Sequence, residues 1–304
     1  MGSDFPIHLL LPLSASILFV FGLIAIKRTS QGGGGPWTVT LLANVWAAIL
    51  FSPLWFLGGT MQPLSLFWQP AVIAVLFIMG QVLTFYAISK GDVSVAAPVL
   101  GIKVLLVAVL ATLLTSDQLS GIVWAAAAIA TIGIGMVQWS ARRPRGSVVS
   151  KSAHGAGWTI GFAALSACSF ALFDVLVQNW SPAWGSGRFL PLVFWMVAIL
   201  SLGFLPFIKP VALKDPKLRP WLLLGTLLIA LQAICIVFAL SRFGDATRVN
   251  VVYALRGLWG VGLAWWIAVR WGGSEADHSP RVMVMRLAGA SLLTAAVVMV
   301  VLGG

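Results

Sequence analysis

Charged residues are scarce in this chain of 304 residues, where Asp, Glu, Lys and Arg make up 9% of the sequence. An ordinary soluble domain has roughly a quarter charged residues. Since 60% of the residues are hydrophobic, a soluble protein of this length could not bury its apolar side chains. The composition therefore excludes a soluble globular protein and predicts an integral membrane protein. Long apolar runs favour transmembrane helices over a barrel.

Cysteine and histidine are also rare. The two cysteines, Cys168 and Cys235, lie inside apolar segments, and the three histidines are widely separated. This pattern excludes a disulfide framework and a clustered metal site, so we expect no cofactor and no enzymatic activity. The net charge of +11 would favour nucleic acid in a soluble protein. Here most of the cations lie in short loops between apolar runs, so we expect a bilayer and no nucleic-acid partner.

Ten apolar segments are long enough to cross a bilayer, which takes about 20 residues in a helix. Short stretches rich in Gly, Pro and charge separate them. We therefore expect an all-α membrane protein with ten transmembrane helices. The predicted spans are approximately residues 7–27, 37–58, 69–89, 93–115, 119–140, 156–179, 188–208, 219–241, 246–271 and 281–302.

The two halves of the chain resemble each other. "LSAS" at 13–16 is matched 152 residues later by "LSACS" at 165–169, and "AISK" at 87–90 is matched by "ALSR" at 239–242. Five helices per half is an odd number, so the second half enters the membrane from the opposite side. We predict two inverted repeats, an architecture by which secondary transporters build a central site. The first repeat is then residues 1–140 and the second is residues 156–304, with a polar linker at residues 141–155 between them.

Basic residues are concentrated on one side of the predicted bundle. Loops after odd-numbered spans hold 14 of the 19 basic residues, whereas the other loops hold Arg188 and Arg242. Since Lys and Arg are enriched in cytoplasmic loops, we expect both termini outside and the linker in the cytoplasm of a multi-pass cell-membrane protein. The 14 residues are Lys27, Arg28, Lys90, Arg142, Arg143, Arg145, Lys151, Lys209, Lys214, Lys217, Arg219, Arg270, Arg281 and Arg286.

Two cations, Lys103 and Arg256, lie inside predicted spans four and nine. Each follows the Asp of a Gly-Asp pair by 11 residues. At 1.5 Å per residue this is roughly 16 Å, about half of a 30 Å hydrocarbon core. A cation at that depth costs on the order of 3 kcal/mol, so both should face the bundle interior or a watery cavity. We predict that they bind an anionic substrate group, and a structural ion pair is the alternative.

Asp174, inside predicted span six, is the obvious anionic partner for these cations. Three roles are open for it. It could be a counter-ion of Lys103 or Arg256, a carboxylate that couples transport to protons, or the group that binds a cationic substrate.

Several uncharged residues are further candidates for the substrate site. Tyr253 precedes Arg256 by three residues and shares its helical face. Gln81 and Gln232 lie at roughly matching places inside spans three and eight, where they line a cavity or hydrogen-bond between helices. Three residues near the starts of spans four and nine are expected to cap helices or take part in gating: Asp92, Asp245 and Arg248.

Spans five and ten lack interior charge and carry small residues at four-residue spacing. These are Ala127, Thr131 and Gly135 in span five, and Ala290 and Thr294 in span ten. Such spacing lets helices approach closely, so we expect scaffold contacts or a homodimer through these spans.

The passage "AISKGDVSVAAPVL" at 87–100, continuing through "LTSDQLSG" to "GIGMV" at 133–137, resembles the EamA-like branch of the drug/metabolite transporter superfamily. Pro98 early in span four, the acidic turn at Asp117 and the Gly-rich span five carry the resemblance. It implies ten helices, a site between the halves, and transport of amino acids, amines, nucleotide sugars or organic phosphates.

The organic-phosphate exchangers of that superfamily are similar in one further respect, because basic residues in spans four and nine hold the phosphate. Lys103 and Arg256 match those positions. Leu255 stands where those exchangers carry the Lys of a Lys-Arg pair, and Val251 stands at the position matching Pro98.

Together these features predict a secondary active transporter that moves a small anionic or zwitterionic metabolite by alternating access, with proton coupling or exchange. One alternative is an exporter of cationic amines or drugs recognised by Asp174. Another is a flippase for lipid-linked sugars.

Overall fold

The computed structural model describes residues 7–89, 93–115, 118–139, 153–260, 262–263 and 280–302. Every secondary-structure element in these residues is a helix, so the predicted all-α class is confirmed. The α-helices are α1 (Leu10–Gln31), α2 (Pro36–Phe51), α3 (Trp68–Ser89), α4 (Val93–Gly101), α5 (Lys103–Leu114), α6 (Gly121–Trp139), α7 (Ala153–Trp184), α8 (Ser186–Ser201), α9 (Val211–Lys214), α10 (Arg219–Phe243), α11 (Ala246–Tyr253) and α12 (Pro280–Leu302). Short 3₁₀ helices cover Ile7–Leu9, Ser52–Leu57, Leu64–Leu66 and Leu202–Phe207.

Eight helical stretches within the described residues are long and apolar enough to cross a membrane. The 3₁₀ turns lengthen several of them, as where Ser52–Leu57 continues α2. The predicted fourth span is divided into α4 and α5, which leaves a shorter apolar helix over Pro98–Leu114. The second half of the predicted ninth span extends beyond the described residues.

The boundary between spans six and seven differs from the prediction. The stretch "SPAWGSGR" was expected to be a loop, but α7 continues to Trp184 and α8 begins at Ser186. Pro182 lies inside the last turn of α7, and the Gly185 amide still donates to the Ser181 carbonyl at 2.8 Å. Gly185 alone makes the turn, because its φ of 76° is open to glycine and strained for other residues.

Helices from the two halves of the chain pack against each other throughout the bundle. α1 packs along α10, α3 along α7, α2 against α8, and α6 against α12. The α6–α12 contact needs glycine, since a Cβ atom on Gly289 would lie 2.7 Å from Val137 Cγ2 and 2.9 Å from the Gly133 carbonyl oxygen. The close contact within one chain therefore uses Gly133 and Gly289, whereas the predicted Gly135 faces open space and the predicted Thr294 is exposed.

Several of the predicted site residues lie where α5, α7 and α11 meet. α5 contacts both α7 and α11, and α11 also packs against α1 and α10. Residues of α11 are buried along its whole length, from Ala246 to Tyr253 except Arg248. The middle of the bundle is therefore the place where the charges predicted inside the membrane come together.

Candidate functional site

Both predicted cation-bearing spans are broken immediately before the cation. α4 ends at Gly101 and α5 begins at Lys103, with the Ile102 amide donating to the Val99 carbonyl at 3.1 Å in a 3₁₀ turn. The presence of Pro98 and Gly101 weakens the α-helix here, since proline lacks an N–H and glycine favours irregular backbone.

The second break has the same position in its span. α11 ends at Tyr253, and the helix resumes at Arg256. Between them, the Ala254 amide donates to the Asn250 carbonyl at 3.0 Å and to the Val251 carbonyl at 3.2 Å, and the Leu255 amide donates to the Val252 carbonyl at 3.1 Å. No Gly or Pro occurs between Ala246 and Leu255, so tertiary packing rather than local propensity holds this break. Both interruptions are short turns that keep helical dihedral angles, with φ −60° and ψ −19° at Ile102 and φ −59° and ψ −21° at Ala254.

Lys103 forms a buried ion pair with Asp174. Its Nζ lies 2.7 Å from Asp174 Oδ2, and Asp174 is 1% exposed. Asn250 of α11 donates from Nδ2 to the same carboxylate oxygen at 2.7 Å and to the Ala246 carbonyl at 2.9 Å. The carboxylate is therefore held by one donor from α5 and one from α11, while α7 carries it.

Arg256 has no carboxylate within 4.0 Å among the described residues, and aromatic rings surround it instead. Its Cζ lies 4.2 Å from the ring centroid of Tyr253 and 5.1 Å from that of Phe19. The Tyr253 hydroxyl donates to Gln232 Oε1 at 2.7 Å. The ring faces attract the guanidinium but, unlike a carboxylate, bring no negative charge to it.

These residues form one group, which we call the central cluster: Lys103, Asp174, Gln232, Asn250, Tyr253 and Arg256. The positive charges of Lys103 and Arg256 act on each other, and Lys103 also faces the Phe170 ring with Nζ 5.8 Å from its centroid. Two cations and one carboxylate give the cluster a formal charge of 2 − 1 = +1. Such a charge in an apolar bundle favours the approach of an anion.

Gln81 lies in a different polar contact from Gln232. It exchanges two amide hydrogen bonds of 3.0 Å with Asn44 of α2, and Asn44 also donates to the Ser201 hydroxyl at 2.7 Å. This group joins α2, α3 and α8. Gln81 therefore takes the interhelical role that was one of its two predicted alternatives.

Asp245 and Arg248 lie at the start of α11, at the end of the bundle that we call the Asp245 face. Asp245 is the N-cap residue, and its Oδ1 accepts from the Arg248 amide at 3.4 Å. Its Oδ2 lies 3.5 Å from Arg248 Nη1 and 3.7 Å from His8 Nε2. Burial raises the pKa of Asp245, and the neighbouring Arg248 and His8 partly oppose this rise. Asp92, the equivalent residue of span four, lies outside the described residues, as does Asp117.

The sequence reasoning missed Asn250 and His8. Asn250 precedes Tyr253 by three residues and so shares its helical face, and an amide in an apolar helix is itself a signal. His8 is close to Asp245 only through the packing of α1 against α11, which the sequence does not reveal.

Comparison with known proteins gives a family for the first half of the chain. Residues 6–139 match the model of the EamA-like transporter family. One solved structure, described only as the crystal structure of a protein, covers 98% of both chains with a TM-score of 0.71 and 15% sequence identity, which concerns the fold alone. No curated protein matches the chain.

Proposed function

We propose that this chain, whose residues 6–139 match the model of the EamA-like transporter family, is a membrane transporter of the drug/metabolite type that moves a small anionic or zwitterionic metabolite by alternating access. The resemblance predicted from the sequence is confirmed by the family match. The family consists of transporters rather than enzymes.

The unbalanced charge of the central cluster carries the proposal. Asp174 neutralises one of its two cations, and Arg256 keeps a guanidinium whose planar fork suits carboxylate or phosphate. Tyr253 and Gln232 add a hydroxyl and an amide beside it. The amine alternative is less favoured, because Asp174 already accepts bonds from Lys103 and Asn250.

Ten spans in two inverted repeats, residues 1–140 and 156–304 around a linker at 141–155, are part of this proposal. The helix contacts support it. The main contacts keep their pattern when each helix of the first half is exchanged with a partner in the second: α1 with α7, α2 with α8, α3 with α10 and α6 with α12. The α1–α10 contact corresponds to α7–α3, and α2–α10 corresponds to α8–α3. The matching breaks before Lys103 and Arg256 support the same pseudo-symmetry.

One departure from this symmetry supports alternating access. α7 and α10 contact each other near the Asp245 face, where the Ser181 hydroxyl donates to the Ser241 carbonyl at 2.9 Å and Gln178 Oε1 accepts from the Ala246 amide at 2.8 Å. The corresponding helices α1 and α3 make no comparable contact in the described residues. A bundle closed at one face and open at the other has this asymmetry. If the α7–α10 contact were lost and the corresponding α1–α3 contact formed, the Asp245 face would open.

The orientation rests on the loop charges alone. With 14 basic residues on one side and two on the other, the Asp245 face and both termini would lie outside the cell membrane. Cysteine labelling at Ser147 of the linker tests this, and labelling from outside only would contradict it.

A homodimer is also proposed. Since Gly133 and Gly289 are used within the chain, the second copy would use the other side of α12. A groove of about 540 Å³ lies there, with exposed hydroxyls on Ser291 and Thr294. Mass photometry of wild type and Thr294→Trp would test this, and a wild-type monomer would contradict it.

Transport by purified protein in proteoliposomes tests the proposed function. A thermal-shift screen of amino acids, organic phosphates, amines and nucleotide sugars first identifies a ligand, and uptake of that ligand is then measured. We expect an anionic or zwitterionic ligand, and we expect Lys103→Ala and Arg256→Ala to abolish its uptake. Arg242→Ala, which removes an exposed cation, is the matched control and should transport normally. Uptake that survives both site substitutions would refute the anion site, and selective loss of amine transport in Asp174→Asn would favour the amine exporter.

A further inference from the structure

The Lys103–Asp174 ion pair offers a way to couple substrate to a proton. We propose that an anionic substrate takes the place of Asp174 at Lys103, and that Asp174 takes up one proton as it leaves. The substrate half of this inference rests on the proposed function, whereas the proton half stands on the geometry of the pair.

Asp174 is too well buried to remain charged without its cation. It is 1% exposed, and its only ionic partner among the described residues is Lys103. A buried carboxylate that loses its partner is strongly disfavoured and becomes neutral instead. The proton comes from the water on the side to which the site opens, and one carboxylate becomes one carboxylic acid.

Lys103 is the more accessible member of the pair. Its side chain is 15% exposed, compared with 2% for the Asp174 side chain. The more exposed side chain of the pair is thus the cation, which favours contact of an entering anion with Lys103 rather than with the carboxylate. This difference lets substrate compete for the lysine.

Asn250 can hold Asp174 in both protonation states. Its amide donates to Oδ2 and is itself anchored by a second bond to the Ala246 carbonyl. A protonated carboxyl keeps one carbonyl oxygen that accepts such a bond. Asn250 is thus a positioning residue that keeps Asp174 in place when Lys103 turns toward substrate.

The charged and titratable groups around Asp174 are consistent with a single proton. Lys103 faces it from α5, the charge of Asp174 acts on Tyr253 at the end of α11, and Arg256 follows just beyond. The described parts of α3, α4, α8 and α10, which also pack against α7, place no ionic partner within 4.0 Å of it. The empty cluster has a charge of +1, and the cluster with one monoanion and one proton has the same charge.

The pair also joins the two halves of the chain. Lys103 belongs to the first half, whereas Asp174 and Asn250 belong to the second. Replacing a direct bond between the halves by a substrate-mediated contact would allow them to rearrange only with substrate and proton both bound. By reciprocity, a proton on Asp174 tightens anion binding, and a bound anion tightens proton binding.

Infrared spectroscopy of the protein in nanodiscs tests the proton half without any substrate. We expect Lys103→Met to show a protonated carboxyl band at neutral pH that wild type lacks and that disappears in Lys103→Met/Asp174→Asn. Arg256→Met is the matched control and should show no such band, because Arg256 has no carboxylate partner in the described residues. Lys103→Gln serves as a second variant, and circular dichroism checks that each variant is folded. Absence of the band in both folded Lys103 variants would overturn the inference.

Proton uptake on anion binding tests the substrate half, with inorganic phosphate and glutamate as probes in weakly buffered detergent solution. For a probe that binds, we expect one proton taken up per anion. Because binding consumes one proton, its Kd should rise about tenfold for each unit by which the pH is raised. Asp174→Asn should bind the probe without proton uptake and without this pH dependence. A probe that binds wild type with no proton uptake would overturn the inference while the proposed function stands. A carboxyl band in Lys103→Met together with no anion binding would support the proton step and count against the proposed function.

Discussion

A double-mutant cycle on Lys103 and Asp174 measures whether the buried pair is coupled as the structure requires. Asp174→Ala would leave the Lys103 ammonium without its counter-ion in a largely buried position. Removing one partner of a buried ion pair costs about 3–5 kcal/mol. We therefore expect Asp174→Ala to lower the free energy of unfolding by an amount in that range.

The size of the coupling follows from the distance. With an effective dielectric constant of about 20, two unit charges separated by the 2.7 Å between Nζ and Oδ2 attract by about 6 kcal/mol. In each single variant the unpaired group can be neutralised or hydrated, which reduces the measured value, so we expect a coupling free energy of about 2–4 kcal/mol. The double variant Lys103→Ala/Asp174→Ala should consequently be more stable than the sum of the single losses predicts.

Unfolding by SDS in mixed micelles gives the four free energies of the cycle. The matched reference is the cycle of Arg256→Ala with Asp174→Ala, because Arg256 contacts aromatic rings rather than the carboxylate. Its coupling should be clearly smaller than that of Lys103 with Asp174, because the two groups make no direct ion pair. A Lys103–Asp174 cycle that is additive within about 0.5 kcal/mol would refute the buried pair and the coupling mechanism built on it.

Three further predictions concern other parts of the molecule. Gly289→Ala should lower the free energy of SDS unfolding by about 1–3 kcal/mol, because a methyl group there meets Val137 and the Gly133 carbonyl. The control Gly135→Ala places a methyl group in open space and should change this free energy by less than about 0.5 kcal/mol. Equal effects of the two substitutions would contradict the close approach of α6 and α12. Tyr253→Phe removes a hydrogen bond to Gln232 worth about 1 kcal/mol and should raise the transport KM about fivefold. The double variant Tyr253→Phe/Gln232→Leu should show no further rise in KM. An additional effect of Gln232→Leu in the double variant would argue against a shared contact. Burial raises the pKa of Asp245, so the folded protein binds the proton of this carboxyl group more tightly than the unfolded chain does. The protonated Asp245 therefore stabilises the folded protein below the ordinary carboxyl pKa of about 4. This stabilisation is lost as the pH rises through the raised pKa. Thermal unfolding from about pH 4 to pH 7 should show this loss in wild type and a flatter profile in Asp245→Asn, and identical profiles would contradict it.

Composition and spacing predicted most of the fold. Low charge and long apolar runs fixed the all-helical membrane class, because only helices satisfy the backbone of such segments in lipid. The predicted end of α7 was wrong. Pro182 and Gly185 indicated a loop, but the helix continues to Trp184, whose side chain is fully buried. The break before Arg256 was equally hidden, because no Gly or Pro marks it.

The candidate site was only partly predictable. A sequence shows which residues are charged, but it does not show toward which neighbours their side chains point. Lys103, Arg256 and Asp174 were identified because each is costly in lipid. Gln81 and Gln232 have the same side chain in roughly matching places, yet one pairs with Asn44 and the other with Tyr253. Which neighbour an amide meets depends on the packing of other helices, and a single sequence does not contain that information.

The proposed repeats would account for the charge left on Arg256. At the 152-residue shift, Asp174 corresponds to Gly22, and the Phe173-Asp174 pair corresponds to Phe21-Gly22. A Cβ atom on Gly22 would lie 3.1 Å from Ile229 Cδ1, so the contact of α1 with α10 leaves little room for a side chain there. Span six therefore supplies a carboxylate to Lys103, while span one offers Arg256 only the Phe19 ring. If an acid at residue 22 balanced Arg256 as Asp174 balances Lys103, no charge would be left for a substrate anion to neutralise.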